Sequence, residues 1–492
     1  MIPNRTLLVL LTSTLALAAV GFSVHSAAGL ASALLPAACL GFVVVVSRVL
    51  GWARATLSLL VVSALMNRYV VSIGGLNLKA EHAAIGLALV VLIWQVAVRR
   101  QLLALGMADL LLGAWVLANG PGSINAPVPM GSLKLTFQLA ILFAGYLLAQ
   151  QLTRRRADLF LAHGILLVGL IVAAAFGVLV HLIYPLGVDL GMQINPITKQ
   201  PTVYGTLYEG NLFGSTVMIG LMWWLGLLLF GDARFRRISM VGVTVSVAAL
   251  EVSLARGAWL AVIAIVPLAA LGYLIFRRRL ALNLVIARRT LAVLTMSVIL
   301  LSSIIWVEPV ALAARAWGGT QNGQTGSASG RVPGDSSSSD FIDRIGSISG
   351  GSQDQTVTQR MATLRRAAHD WTLHPIIGWG PGSYGQKYIN TSNLPDWLGM
   401  LPLRVLHDTG IIGVILFTAF CVVLLRAALR ALVISKDRTL RIMLVGHLVA
   451  LSALFIAYVV TEGMQLFFPW LLIGLFASTI RAANISLVQD AL

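Results

Sequence analysis

The sequence predicts an all-α polytopic integral membrane protein of about 12–14 transmembrane helices carrying one large external loop domain. Three observations lead there. Hydrophobic residues make up 58% and charged residues 11% of the chain, with a mean hydropathy of +0.88; soluble domains sit near 45–50% apolar. Apolar runs of roughly 17–25 residues recur along the chain, the length that spans a bilayer. The basic residues behind a net charge of +17 are not gathered in one patch but punctuate those runs.

Taking the basic clusters as cytoplasmic, the spans fall near 7–22, 28–47, 55–72, 83–98, 101–118, 133–152, 157–182, 211–230, 239–254, 257–276, 290–310, 409–425, 442–460 and 466–481. The clusters are Arg48 and Arg54, Arg99 and Arg100, Arg154 to Arg156, Arg234 to Arg237, Arg277 to Arg289, and Arg426 to Arg441. With this topology most of the 35 Lys+Arg residues collect on one side, while of the 18 acidic residues only Asp158, Asp232, Asp437 and Asp490 join them. Topology therefore accounts for the charge, which excludes a nucleic-acid partner, and both termini are expected in the cytoplasm. Arg5 ahead of the first run and the small residues from Ser26 to Ala28 also fit a signal peptide. A second span that comes almost at once favours an uncleaved anchor. Cys39 and Cys421 lie within apolar runs and support neither a disulfide nor a metal site.

Three external segments depart from the short connections. Residues 119 to 132, "NGPGSINAPVPMGS", read as a Gly/Pro-rich loop; residues 183 to 210 end in "YGTLYEG"; residues 311 to 408 form one long loop. This divides the chain into a first transmembrane bundle (1–310), the loop domain (311–408) and C-terminal helices with a cytoplasmic tail (409–492). Inside the loop, "GGTQNGQTGSASGRVPGDSSSSD" is low-complexity, with little to bury. "TQRMATLRRAAHDWTLH" then places Met361, Leu364, Ala368 and Trp371 at helical spacing, an amphipathic helix lying over the membrane. The stretch "HPIIGWGPGSYGQKY" (374–388) ends that helix and turns the chain. Its Gly378, Gly380, Gly382 and Gly385 could bring backbone N–H groups to phosphate. A nucleotide loop needs a strand before it and a helix after, or Gly-Lys-Ser/Thr; neither is present, so a structural turn shaped by these glycines is the better reading.

An external arginine ahead of a helix, then "HPIIGWGPGSYG", then "LHDTGIIGVI" opening a span, resembles the bacterial O-antigen ligase and polymerase superfamily. "YGTLYEGNLFGSTVMIG" (204–220) and "VSLARGAWLAV" (252–262) agree with it in kind and order, so that the likeness covers roughly residues 200 to 480. The resemblance implies a lipid-linked glycosyltransferase fold (GT-C-like) in the bacterial inner membrane, with its active site on the periplasmic face. The implied reaction moves a glycan from an undecaprenyl-diphosphate carrier to an acceptor hydroxyl, on lipid A core or another surface acceptor, without metal or cofactor. A polymerase would instead use a second carrier-linked glycan as acceptor. Membrane lipids are the other expected partner.

Such chemistry needs cations that stay charged beside the diphosphate and a base beside the hydroxyl. Arg256, Arg360 and Arg404 are the diphosphate candidates. Arg256 stands at a tight break between spans, where pairing with Glu251 or snorkelling is the plain alternative. Arg360 matches the family arginine upstream of Pro375, Arg404 sits just before the next span, and Arg365 and Arg366 read as a solvated face. The base is less defined, because Gly399 and Met400 stand where many ligases carry a His-Asn pair. His407 and Glu209 are the catalytic candidates, with Glu462 a further alternative; Asp408 reads as a helix N-cap. The missing His-Asn pair raises the standing of the polymerase. Trp371, Trp379, Tyr384, Tyr388 and Trp397 suit either sugar stacking or interfacial anchoring. Asp109 lies in a span and needs only a hydrogen-bonding partner, and His163, His181 and His447 are singletons without ligand spacing. A glycan or lipid transporter or flippase is the rival of another class, but it predicts internal repeats that the sequence lacks.

Overall fold

The computed structural model describes residues 31–68, 70–73, 76–100, 103–184, 190–194, 201–265, 267, 355–388 and 398–491. Among them helices dominate, and seven are long and apolar enough to cross a membrane. The protein is a multi-pass membrane protein. The chain divides into two compact units: residues 1–169, 359–451 and 458–492 form the first, and residues 170–358 with 452–457 form the second. The expected spans at 7–22 and 290–310, the low-complexity stretch and Trp397 lie outside the described residues.

The first unit begins with α1 (Ala31–Leu50) and α2 (Trp52–Ala64), then a hairpin of β1 (Val70–Ile73) and β2 (Leu76–Lys79). It continues through α3 (Ala80–Arg99), α4 (Met107–Gly122), a 3₁₀ turn at Ser123–Asn125, α5 (Pro129–Leu152) and the start of α6 (Arg156–Ile183). It resumes within α10 (Gln355–Leu373), from residue 359, and goes on through α11 (Ser383–Tyr388), α12 (Leu401–Ile434), α13 (Arg438–Tyr458) apart from 452–457, and α14 (Phe467–Ala491). The second unit holds the remainder of α6, a hairpin of β3 (Met192–Ile194) and β4 (Pro201–Val203), α7 (Gly210–Phe230), α8 (Arg236–Ser253) and α9 (Arg256–Ile265).

The structure agrees with the all-α expectation in being mostly helical, and two short antiparallel hairpins accompany the helices among the described residues. In one, Val70 pairs with Lys79 and Ile73 with Leu76; in the other, Met192 pairs with Val203 and Ile194 with Pro201. The span expected at 55–72 stops at Ala64 because the polar pair Asn67 and Arg68 comes next, and β-branched Val70, Val71 and Ile73 favour extended backbone. The loop expected from residue 119 starts four residues later, at Ser123, since α4 runs on through Pro121 to Gly122 before tightening into the 3₁₀ turn.

The helix expected in the large loop is present as α10, but turned about its axis relative to the apolar pattern. Its buried stripe is Thr363, Ala367 and Asp370, while Met361 is 46% exposed. The reason is a small core that α10 shares with α11 and the start of α12. Ala367 packs with Tyr384, Leu398 and Leu403, with Leu364, Tyr388 and Met400 around them. Arg365 is exposed, as expected of a solvated face, whereas the Arg366 guanidinium lies over the Tyr388 ring, 5.3 Å from its centroid.

Candidate functional site at a broken helix

The span expected at 409–425 belongs to α12, which starts at Leu401 and is interrupted at Gly410 (φ 60°, ψ −160°). That conformation is open essentially to glycine alone. A break of this kind frees backbone groups that a lipid environment cannot satisfy, so they must find partners inside the protein. The stretch 375–380 supplies them. Trp379 N donates to His407 O (2.9 Å) and Gly380 N to Asp408 O (2.8 Å) on the near side of the break. On the far side Ile411 N donates to Pro375 O (2.9 Å) and Ile412 N to Ile376 O (3.3 Å). Asn125 Nδ2 then donates to Gly378 O (2.8 Å), which ties the 3₁₀ turn to the same loop.

The glycine-rich stretch thus closes a gap in a membrane helix, and two of its N–H groups are taken up by helix carbonyls. Gly378, Gly380 and Gly382 all have positive φ (70°, 79° and 76°). A Cβ at Gly378 would run into the backbone of His407 and Asp408, and one at Gly380 into Ser132 and Ser123. These glycines let backbone approach backbone.

Beside the break sits a buried charged cluster. Arg404 is 9% exposed, Asp408 3% and His407 1%. Arg404 Nε donates to Asp408 Oδ2 (3.2 Å), and Nη1 donates to Glu462 Oε1 in the turn between α13 and α14. With the Gln465 amide oxygen facing the guanidinium, it accepts from Arg404 Nη1 (3.2 Å) and Nη2 (2.9 Å). His407 Nδ1 lies 3.0 Å from Asp408 Oδ1, and Nε2 lies 3.9 Å from Asp370 Oδ2. Asp370 in turn accepts from Lys387 Nζ (2.6 Å) and from Tyr388 Oη (3.1 and 3.0 Å). Counting His407 as protonated, three cations face three carboxylates, and this balance is what permits burial of so many charges.

A cavity of about 60 Å³ opens against the cluster, lined by Gly382, Tyr384, Gly385, Leu398, Arg404, Asp408, Glu462 and Gln465. That is room for water or for a hydroxyl-bearing group. Burial pushes the Glu462 carboxyl above the usual range, and the neighbouring Asp408 adds to this against the pull of Arg404.

Asp370 behaves in the opposite way. Burial would raise it, but hydrogen bonding from His407, Lys387 and Tyr388 outweighs burial and holds it below its ordinary value. A carboxylate depressed in the folded state stabilises fully above its unfolded pKa, and that contribution is lost as pH falls through the folded value. Asp370→Asn is therefore expected to cost about 1–3 kcal/mol at neutral pH. The gap between variant and wild type in thermal melting should stay constant down to about pH 4 and shrink below it. A gap that widened on acidification would contradict the assignment.

Of the candidates from sequence, Arg404 and His407 share the cluster, but not in the expected way. The Arg404 fork is occupied by two carboxylates and an amide, both His407 nitrogens face carboxylates, and His407 is not among the cavity-lining residues. Asp408 is not an N-cap, because the helix begins seven residues earlier and its carboxylate holds Arg404 and His407. Arg360 lies on α10 and donates to Val460 O in the turn that carries Glu462. Glu209 and Arg256 belong to the second unit. Glu209 is the N-cap residue of α7 and accepts from Asn211 Nδ2 (2.9 Å), while Arg256 opens α9 after Leu254 turns the chain at φ 50°. The two upstream motifs meet there, since a Cβ at Gly210 would lie 3.1 Å from Ser253 O.

Asp370, Lys387 and Gln465 were missed from the sequence. The signal for Asp370 was an acid on the stripe that includes Thr363 and Ala367; the other two carried none. Trp379 and Trp371 spend their indole N–H groups on Asp370 O (2.7 Å) and Pro375 O (3.2 Å), and Tyr384 is buried. Asp109 has its partners in Tyr146, Gln150 Nε2 (2.7 Å) and Gly106 N (2.6 Å), and it sits in the first turn of α4 instead of mid-span. His163 and His447 are not singletons in space, for their Nε2 atoms lie 2.8 Å apart. No group of three or more His, Cys, Asp or Glu that could hold a metal occurs among the described residues. Comparison of the chain with protein-family models and with curated proteins finds no match.

Proposed function

We propose that the protein is a membrane glycosyltransferase of the O-antigen ligase kind, transferring a glycan from an undecaprenyl-diphosphate carrier to an acceptor hydroxyl at the outer face of the bacterial inner membrane. The observation that supports it most is the charged cluster of Arg404, Asp408 and Glu462 around a hydroxyl-sized cavity beside a broken membrane helix. Burying three charged side chains at such a place is costly, and within membrane proteins such groups mark sites of chemistry or transport. The motifs that carry the family resemblance include the loop 375–380 and the α12 break, which are the elements that assemble this cluster. A polymerase is the second reading, favoured by Gly399 and Met400 standing where ligases carry His-Asn.

Purified protein in lipid, given an undecaprenyl-diphosphate-linked glycan, tests the proposal. Product only with a separate lipid acceptor identifies a ligase, and multimers of the donor glycan identify a polymerase. Absence of both, with donors matched to the source, removes the transferase reading in favour of a transporter. Arg256→Ala and Arg360→Ala, assayed one at a time, are each expected to lose transfer by about 10²-fold while folding normally. Lysine at either position should also impair turnover, because a point charge does not replace a planar fork. Full activity in both alanine variants would sink the assignment of a diphosphate role to these arginines.

A further inference from the structure

We infer that Glu462 is the group that accepts the acceptor's proton, with His407 a positioning residue that holds it indirectly through Asp408 and Arg404. This rests on the transferase reading and specifies its base.

Few oxygens and nitrogens of the cluster remain open to a substrate. Asp408 uses Oδ2 for Arg404 Nε (3.2 Å) and Oδ1 for His407 Nδ1 (3.0 Å), so both its oxygens are engaged. Asp370 uses Oδ1 for Lys387 and Tyr388, and Oδ2 for Tyr388 with His407 Nε2 at 3.9 Å. His407 directs Nδ1 at one carboxylate and Nε2 towards another, and it is absent from the cavity lining. An imidazole placed this way is a donor to its neighbours and offers the cavity no lone pair.

Glu462 differs. Both of its hydrogen bonds, from Arg404 Nη1 and from Met464 N (3.1 Å), land on Oε1. Glu462 is one of the residues that line the cavity, and Oε2 takes part in neither of these bonds, which leaves it for a hydroxyl. The turn that bears it is braced, with Leu466 N donating to Gly463 O (2.9 Å) and Trp470 Nε1 to Met464 O (2.8 Å). The charged groups facing Glu462 are Arg404 and Asp408, both on α12. Burial makes the carboxylate more basic than a solvated one, which favours proton acceptance.

In the transfer step Glu462 Oε2 takes the proton of the acceptor O–H as that oxygen's electron pair forms the new bond to the anomeric carbon. The bond from that carbon to the diphosphate oxygen breaks, and its electron pair leaves on the polyprenyl diphosphate. Glu462, now neutral, returns its proton to water. Arg404 on Oε1 fixes the rotamer, and the His407–Asp408 pair fixes Arg404.

The test uses the full chain in lipid with an undecaprenyl-diphosphate-linked glycan and its acceptor, across pH, for wild type, Glu462→Gln, Glu462→Asp and His407→Gln. The amide keeps an oxygen for Arg404 but cannot take a proton. Its kcat is expected to fall by about 10²–10⁴-fold, with the acid limb of the pH profile gone and donor KM little changed. Glu462→Asp withdraws the oxygen while keeping the charge and is expected to lose at least about tenfold with the acid limb retained. His407→Gln should lower kcat less and keep the acid limb. Glu462→Gln at wild-type kcat, or loss of the acid limb in His407→Gln alone, overturns the inference while the transferase stands. No transfer by wild type overturns the transferase reading, and the base with it. Should Glu462→Gln fail to fold by size exclusion, the aspartate variant decides: wild-type turnover there overturns the assignment.

Discussion

Gly410→Ala is expected to destabilise the protein by at least about 3 kcal/mol. Two costs combine. The backbone at φ 60°, ψ −160° is strained for any residue with a Cβ, by about 1–3 kcal/mol. The added carbon would also run into the carbonyls of Ile376 and Pro375. Those carbonyls receive Ile412 N and Ile411 N, so relieving the clash means losing buried hydrogen bonds worth about 1–3 kcal/mol each when left unmade. Gly86→Ala is the matched control, because Gly86 lies within α3 with nothing within 4 Å of the added carbon. It should be neutral or stabilising by about 0.5–1 kcal/mol. Thermal melting of both variants in detergent separates the two positions; equal melting would mean that the break at Gly410 carries no structural requirement.

Arg404→Met is expected to cost about 3–5 kcal/mol, since it strands two carboxylates in a buried site. The loss belongs to the unpaired charges more than to the missing contact, and this makes a second result predictable. Combining Arg404→Met with Asp408→Asn and Glu462→Gln should recover most of the stability, because neutral groups of similar shape replace the ion cluster at little net cost. Transfer should not recover with it. Chemical denaturation of the single and triple variants measures the first, and the donor assay measures the second. A triple variant no more stable than Arg404→Met would mean that the arginine acts by packing alone.

Much of the fold could be read from the chain because a bilayer imposes rules on length and charge. Runs such as 133–152, 157–182 and 211–230 reappear as α5, α6 and α7 nearly residue for residue, since a spanning segment must bond its own backbone and is too apolar to do anything else. Short elements escaped. The hairpins at 70–79 and 192–203 involve few residues each, and their polar flanks read as ordinary connections. The face of α10 was misjudged because its partners, Tyr384, Leu398 and Leu403, come from later in the chain, and their packing outweighs its own apolar pattern.

The candidate site divides in the same way. The resemblance and the chemistry it implies marked Arg404 and His407, while residue type and spacing placed a turn at Gly378 to Gly382 and the start of a span at 409. What each atom does was settled only by tertiary structure. The chain folds back so that the carbonyls of Pro375 and Ile376 complete a broken helix, that Asp370 and Asp408 flank His407, and that Arg404 points at Glu462, a residue 58 positions away. Membrane insertion depends on the sum of local apolar content, which is additive along a sequence. Charge pairing in a buried site depends on distances of a few ångströms between segments remote in sequence, and no local pattern contains them.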